Sequence, residues 1–164
     1  MSNLCIKKLW RKGLKYPLVF LGVMLITLYV STYWYQLALI RGDSMIPAYH
    51  NMQLVLMDRH SEDYTYGDVV AFWCSELDTV LIKRIVACPG DEVFIREGRL
   101  CVNGDASTVF PQKYFFEYAG IAENPLQLTA NQYFVIGDNI EKSKDSRYPK
   151  VGCVSADNIK GKVV

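Results

Sequence analysis

Val80-Leu-Ile-Lys-Arg-Ile-Val-Ala87 is a short apolar run, rich in β-branched residues and broken at its centre by two adjacent cations. Its composition and the polar turns that bound it predict a strand. Period-2 alternation puts Lys83 on one sheet face with Leu81 and Ile85, and Arg84 on the other with Ile82 and Val86. One of the two cations must therefore face the apolar side. Burial disfavours the charged form of a lysine and can lower its pKa by up to roughly 3 to 5 units, which makes a neutral base near physiological pH. A lysine at a sheet edge that snorkels to water is the alternative.

The neighbouring segments read the same way. Gln53 to Asp58 and Val69 to Cys74 are short apolar runs separated by polar or glycine-containing turns. Glu92 to Arg96 and Arg99 to Val102 flank Glu97-Gly98, a hairpin signal, and Asn103-Gly104 marks a further turn. Tyr133 to Ile136 predicts a strand that delivers the loop beginning at Gly137, and Ile159 to Val164 can close the sheet. Asp105 to Gln132 is less regular and reads as an extended loop or small sub-lobe, whose aromatics Tyr114, Phe115, Phe116 and Tyr118 are expected to cover the core. The fold class is mainly β, an antiparallel β-sheet domain tethered by one N-terminal transmembrane helix.

That helix is predicted over 16–40, 25 residues without a charge, where about 20 suffice to span a bilayer. Lys7, Lys8, Arg11, Lys12 and Lys15 precede it with no acid among them, which places 1–15 as a basic tail in the cytoplasm and 41–164 outside it. A cleavable signal peptide fits less well, because the apolar part is too long and ends in bulky residues. The whole chain of 164 residues carries a net charge of +1 from 18 basic and 17 acidic residues. With those five basic residues set aside, 13 basic and 17 acidic residues remain from position 41 onward, a net of −4. Nucleic acid is thereby excluded as a partner, since phosphate binding needs clustered positive charge on the folded part. The five cysteines show no zinc-site spacing, so no metal is expected. No disulfide is expected either, with Cys74 and Cys88 read as small buried hydrophobes.

Where the uncharged run stops, Arg41-Gly42-Asp43-Ser44-Met45-Ile46-Pro47 has the composition of a tight turn able to expose the Ser44 hydroxyl. A serine needs a base to become a nucleophile. His50 and His60 lie in segments with nothing to return them to Ser44, and both read as solvated surface residues. Lys83 is the better candidate. The loop Gly137-Asp-Asn-Ile-Glu-Lys-Ser-Lys-Asp-Ser-Arg147 could orient the lysine amine through Ser143, braced by an ion pair of Asp145 with Arg147 or of Asp138 with Arg84.

Taken together, these residues resemble a known family. Ser44-Met45-Ile46-Pro47 resembles the Ser-Met-x-Pro nucleophile box of bacterial type I signal peptidases. Lys83-Arg-Ile-Val-Ala-Cys-Pro-Gly-Asp91 is similar to their lysine box, and Gly137 to Arg147 to their Gly-Asp-Asn box, in the family's order. Tyr66-Gly-Asp-Val-Val70 fits the strand between. The resemblance implies a membrane serine endopeptidase that removes signal peptides from exported preproteins, with Ser44 as nucleophile and Lys83 as general base. It also implies that Ser143 holds the amine, that Asp145 and Arg147 brace the site, and that the Ser44 backbone N–H is part of the oxyanion hole. Gly42 stands where some members carry a serine that donates a second hydrogen bond. No metal or organic cofactor is implied. The implied partners are secretory preproteins with small residues at −1 and −3 of the cleavage site, and membrane lipid. The implied location is the bacterial cytoplasmic membrane, and a monomer is expected. Two alternatives remain, a self-cleaving repressor-type Ser/Lys protease and a catalytically silent anchored β module that binds preproteins or assists pilus assembly.

Overall fold

The computed structural model describes residues 3–110 and 114–164, with side chains from Tyr16 onward. Two compact units divide the chain between Gln36 and Leu37. The first contains helix α1 (Asn3–Tyr33), with Pro17 inside it. Its segment Tyr16–Tyr33 has a mean hydropathy of 1.6 over 18 residues, none of them buried. At about 1.5 Å per residue such a segment is long enough to cross roughly 27 Å of hydrocarbon.

The uncharged run read as one helix over 16–40 is not helical to its end. After Tyr33 the chain extends into strand β1 (Tyr35–Leu39). Lateral bonding takes over there: the Ile40 N–H donates to the Gln53 carbonyl at 2.9 Å, and the Ile40 carbonyl accepts from the Met52 N–H at 2.8 Å.

The second unit is mainly antiparallel β, as the sequence predicts. Its strands are β2 (Leu54–Asp58), β3 (Val69–Cys74), β4 (Thr79–Ala87), β5 (Glu92–Arg96), β6 (Arg99–Val102), β7 (Asp105–Ala106), β8 (Leu126–Gln127), β9 (Gln132–Ile136), β10 (Val154–Ser155) and β11 (Ile159–Val163). They form a seven-stranded sheet ordered β1-β2-β11-β3-β4-β9-β10 and a four-stranded sheet ordered β7-β6-β5-β8. Strand β4 is an interior strand of the larger sheet. It pairs antiparallel with β3, where Lys83 faces Val70, and with β9, where Arg84 faces Ile136.

Alternation then sorts the side chains. Phe134 and Ile136 of β9 join Val86 of β4 with Val93, Ile95 and Leu100 of the smaller sheet, a cluster that holds the two sheets together. Tyr133 and Val135 join Val70, Phe72 and Ile85 in a second cluster. A third gathers Val69, Ala71, Val55 and Met57 around Met45, the residue after Ser44.

Among the described residues, the segment read as a loop over Asp105 to Gln132 holds two short strands, β7 and β8, and one 3-10 turn, Gly120–Ala122. Of the four aromatics expected to cover the core, Phe116 is buried and Tyr114 half-buried, both edge-on to Phe110 at centroid distances of 5.8 and 5.2 Å. Phe115 and Tyr118 are exposed. The expectation that all four cover the core is therefore corrected for these two. The Phe115 ring packs against Gly98 at the surface, and Tyr118 stacks on Tyr148 at 4.7 Å instead.

Phe134 is completely buried in the cluster that joins the sheets. Phe134→Ala is expected to lower the unfolding free energy by about 3 to 5 kcal/mol, through lost transfer energy and a residual cavity. Denaturant titration of the purified protein measures it.

Candidate active site

The turn after β1 is held by hydrogen bonds of its own. Gly42 takes a φ of +87°, a conformation that suits glycine, and its N–H donates to Asn51 Oδ1 at 2.9 Å. The Ile46 N–H closes the turn on the Asp43 carbonyl at 3.3 Å, and the Tyr49 N–H reaches the Met45 carbonyl at 2.9 Å. The Ile46–Pro47 peptide is cis. Met45 is only 1% exposed, and its burial in the third cluster pins the turn while Ser44 beside it stays half-buried.

Lys83 reaches this serine from the middle of β4. Its Nζ donates to Ser44 Oγ at 2.8 Å and to the Ile82 carbonyl at 2.9 Å. The side chain is 3% exposed, which settles which of the two cations faces inward. Burial lowers the amine pKa to about 8, against the opposing pull of the Asp145 and Asp138 charges. His50 and His60 are both exposed, as the sequence predicts, and the group within hydrogen-bond distance of Ser44 Oγ is the Lys83 amine.

Both ion pairs that the sequence left open are formed. Arg84 grips Asp138 with two hydrogen bonds, Nε to Oδ1 at 2.7 Å and Nη2 to Oδ2 at 2.5 Å, and its third nitrogen donates to the Gly67 carbonyl at 2.7 Å. Arg147, 2% exposed, donates from Nε to Asp145 Oδ1 at 2.8 Å and from Nη2 to Asp145 Oδ2 at 2.9 Å. Nη2 also donates to the Ile140 carbonyl at 2.8 Å, and the guanidinium lies over the Phe116 ring. Asp145 in turn accepts the Gly137 N–H at 3.2 Å. Such forked, charge-assisted bonds hold the loop in one arrangement.

The bond from Ser143 to the amine that the resemblance implies is not formed in this structure. Its hydroxyl is buried and, among the described residues, makes no hydrogen bond, while the amine spends its second bond on the Ile82 carbonyl of its own strand. The serine packs against Gly137, where an added Cβ would lie 2.2 Å from Ser143 Oγ and 2.5 Å from the Ser44 carbonyl oxygen.

Two sets of contacts were not legible in the sequence, although their residues, Asn139 and Asp91, lie in stretches that resemble the family's boxes. Asn139 donates its backbone N–H to the Ser44 carbonyl at 3.0 Å and its side-chain Nδ2 to the Asp43 carbonyl at 3.1 Å, across 96 residues of chain in the second case. Asp91, after β4, accepts from the Tyr66 hydroxyl at 2.7 Å, the Cys88 N–H at 2.6 Å and Asn103 Nδ2 at 2.7 Å, which ties the end of β4 to the hairpin of the smaller sheet. Cys74, Cys88, Cys101 and Cys153 are free thiols, and burial pushes Cys88 up to about 11. Among the described residues no group of three or more His, Cys, Asp or Glu could hold a metal ion.

An antiparallel β domain with a serine hydroxyl against a buried lysine amine, following an apolar helix in sequence, defines the class as a serine peptidase with one candidate membrane span. The chain belongs to the signal peptidase family, peptidase S26, whose family model matches residues 13–164. Signal peptidase I P of Bacillus subtilis subsp. natto is 27% identical over 137 residues, which cover 76% of this chain and 72% of that protein. Signal peptidase I S of Bacillus subtilis strain 168 is 31% identical over 117 residues, 65% of this chain and 62% of that one. A signal peptidase I crystal structure from Enterococcus faecalis V583 matches 62% of this chain and 97% of that one at 24% identity, with a TM-score of 0.47. Membrane anchoring fits both the apolar helix and these relatives.

Two substitutions probe the packing around Ser44. Gly137→Ala forces a methyl group against the Ser44 carbonyl and is expected to lower peptidase activity at least about tenfold by displacing the turn, read from initial rates. Ser143→Ala removes a buried hydroxyl that has no partner, and is expected to leave the thermal midpoint unchanged or raised.

Proposed function

We propose that the chain is a single-pass membrane signal peptidase I, which removes signal peptides from exported preproteins with Ser44 as nucleophile and Lys83 as general base. The observation that carries this reading is the 2.8 Å contact between Lys83 Nζ and Ser44 Oγ at a buried amine. The family membership and the names of the relatives supply the substrate class.

In the neutral form the amine takes the Ser44 proton as Oγ attacks the carbonyl carbon of the scissile bond. The negative charge that develops on the carbonyl oxygen is met by the Ser44 backbone N–H. Gly42 has no side chain to add a donor. The protonated amine then gives its proton to the departing amino group, leaving an acyl ester on Ser44. Lys83, neutral again, takes a proton from water as the water oxygen attacks the ester carbonyl, and returns that proton to Ser44 Oγ as the acyl–oxygen bond breaks and the product acid leaves. Ser143 acts here by packing against Gly137, and Asp145 with Arg147 fixes the loop that carries both. The preprotein lies as an extended strand at the sheet edge, with small residues at −1 and −3. Five cations before the apolar segment put the N-terminus in the cytoplasm and the catalytic unit outside.

Detergent-solubilised full chain is expected to cut a preprotein bearing an Ala-x-Ala site after the second alanine, with Ser44→Ala and Lys83→Met both inactive. The rate should rise with pH through about 8, as the amine becomes neutral, and then level off. Activity that survives in Lys83→Met, or that follows an imidazole titration, contradicts the assignment.

The same burial has a cost in stability. Lys83 titrates near 10.5 when unfolded and near 8 when folded, so folding disfavours its charged form. That penalty is present in full below pH 8 and fades as pH rises toward 10.5, where both states are neutral. Lys83→Met is therefore expected to raise the thermal midpoint at pH 7, and to flatten the rise in stability that the wild type shows between those pH values.

A further inference from the structure

We infer that the side-chain amide of Asn139 is a positioning group that aims the Ser44 backbone N–H at the developing oxyanion. This rests on the proposed reading of Ser44. The two carbonyls held by Asn139 belong to the two peptide groups on either side of the Ser44 Cα. The backbone N–H of Asn139 holds the Ser44 carbonyl, in the peptide that follows, at 3.0 Å. Its Nδ2 holds the Asp43 carbonyl, in the peptide that precedes, at 3.1 Å.

That preceding peptide also contains the Ser44 N–H. A peptide group is planar, and the Asp43–Ser44 bond is trans, so its C=O and N–H point in opposite directions. Fixing the carbonyl toward Asn139 therefore fixes the N–H on the opposite side. The Ile46 N–H also reaches the Asp43 carbonyl, but at 3.3 Å and from within the same turn, so it moves with the turn and cannot set the plane against the rest of the domain. Asn139 is anchored independently, because its own carbonyl accepts the N–H groups of Lys142 and Ser143 at 3.2 and 2.9 Å. Asp138 just before it is locked to Arg84.

The side-chain bond acts on the plane that carries the donor. The backbone bond acts on the plane that follows, and survives truncation at this position. Asn139→Ala therefore isolates the first effect. Removing an oxyanion donor outright costs about 10² to 10³ in kcat, and a misaimed donor should cost less. For the full chain in detergent with an Ala-x-Ala preprotein, Asn139→Ala is expected to lower kcat by roughly 10- to 100-fold. KM should change less than about twofold, as uniform binding is untouched. The inflection near pH 8 should stay in place, since the lysine and its burial are unchanged.

A wild-type kcat in Asn139→Ala overturns the inference while leaving the Ser44 and Lys83 assignment intact. So does a loss confined to KM, one accompanied by a shifted inflection, or one matched by a fall in thermal midpoint that makes the residue structural. A folded wild type that cuts none of several such preproteins overturns the reading of Ser44, and the inference with it.

Discussion

Lys83 sits in the middle of β4, flanked by β3 and β9, where water cannot hydrate an ammonium ion. Its four-carbon stem is hydrophobic enough to be covered there, but its terminal charge is not. The penalty on that charge separates this lysine from an ordinary surface one, and it constrains what can surround it. Two carboxylates, Asp138 and Asp145, are close enough to pull the amine back toward its protonated form. Each is held by an arginine, Asp138 by Arg84 and Asp145 by Arg147. Desolvation then outweighs the acids and the amine stays depressed.

The arginines also have a mechanical part. Arg84 joins β4 to the start of the catalytic loop and, through the Gly67 carbonyl, to the turn before β3. Arg147 joins the end of that loop to the segment around residues 116–121: its guanidinium lies over Phe116, and its carbonyl accepts the Ile121 N–H at 3.0 Å. An added Cβ at Gly120 would lie 2.0 Å from that same carbonyl oxygen, so the segment approaches as closely as a backbone can. The arginines that hold the two acids thus also clamp the smaller sheet's connections beside Lys83 and Ser44. Breaking a buried pair of this kind by removing one partner typically costs about 3 to 5 kcal/mol, because the other is left uncompensated.

Most of the β architecture was legible because its strands are apolar runs separated by glycine and polar turns, the pattern that a sheet covered on both faces requires. Strand β1 was not, since Tyr-Gln-Leu-Ala-Leu continues an uncharged run whose composition suits a helix as well as a strand. Only its pairing with distant chain decides the matter. At the site, Ser44, Lys83 and the Gly137 loop were found by spacing and by family resemblance. The partners within the loop were not, because two acids and two arginines at such separations allow either pairing. Both form. The missing bond at Ser143 and the double grip of Asn139 depend on positions of atoms within a turn, which residue order does not encode.

The site is assembled from parts far apart along the chain. Ser44 comes first, Lys83 follows 39 residues later, and Asn139 lies 96 residues beyond Asp43. A ribosome therefore releases Ser44 long before the strand and loop that surround Lys83. Residues 132–163 supply β9, β10 and β11, so the packing that keeps water from the lysine amine is complete only once chain well beyond Lys83 has been made.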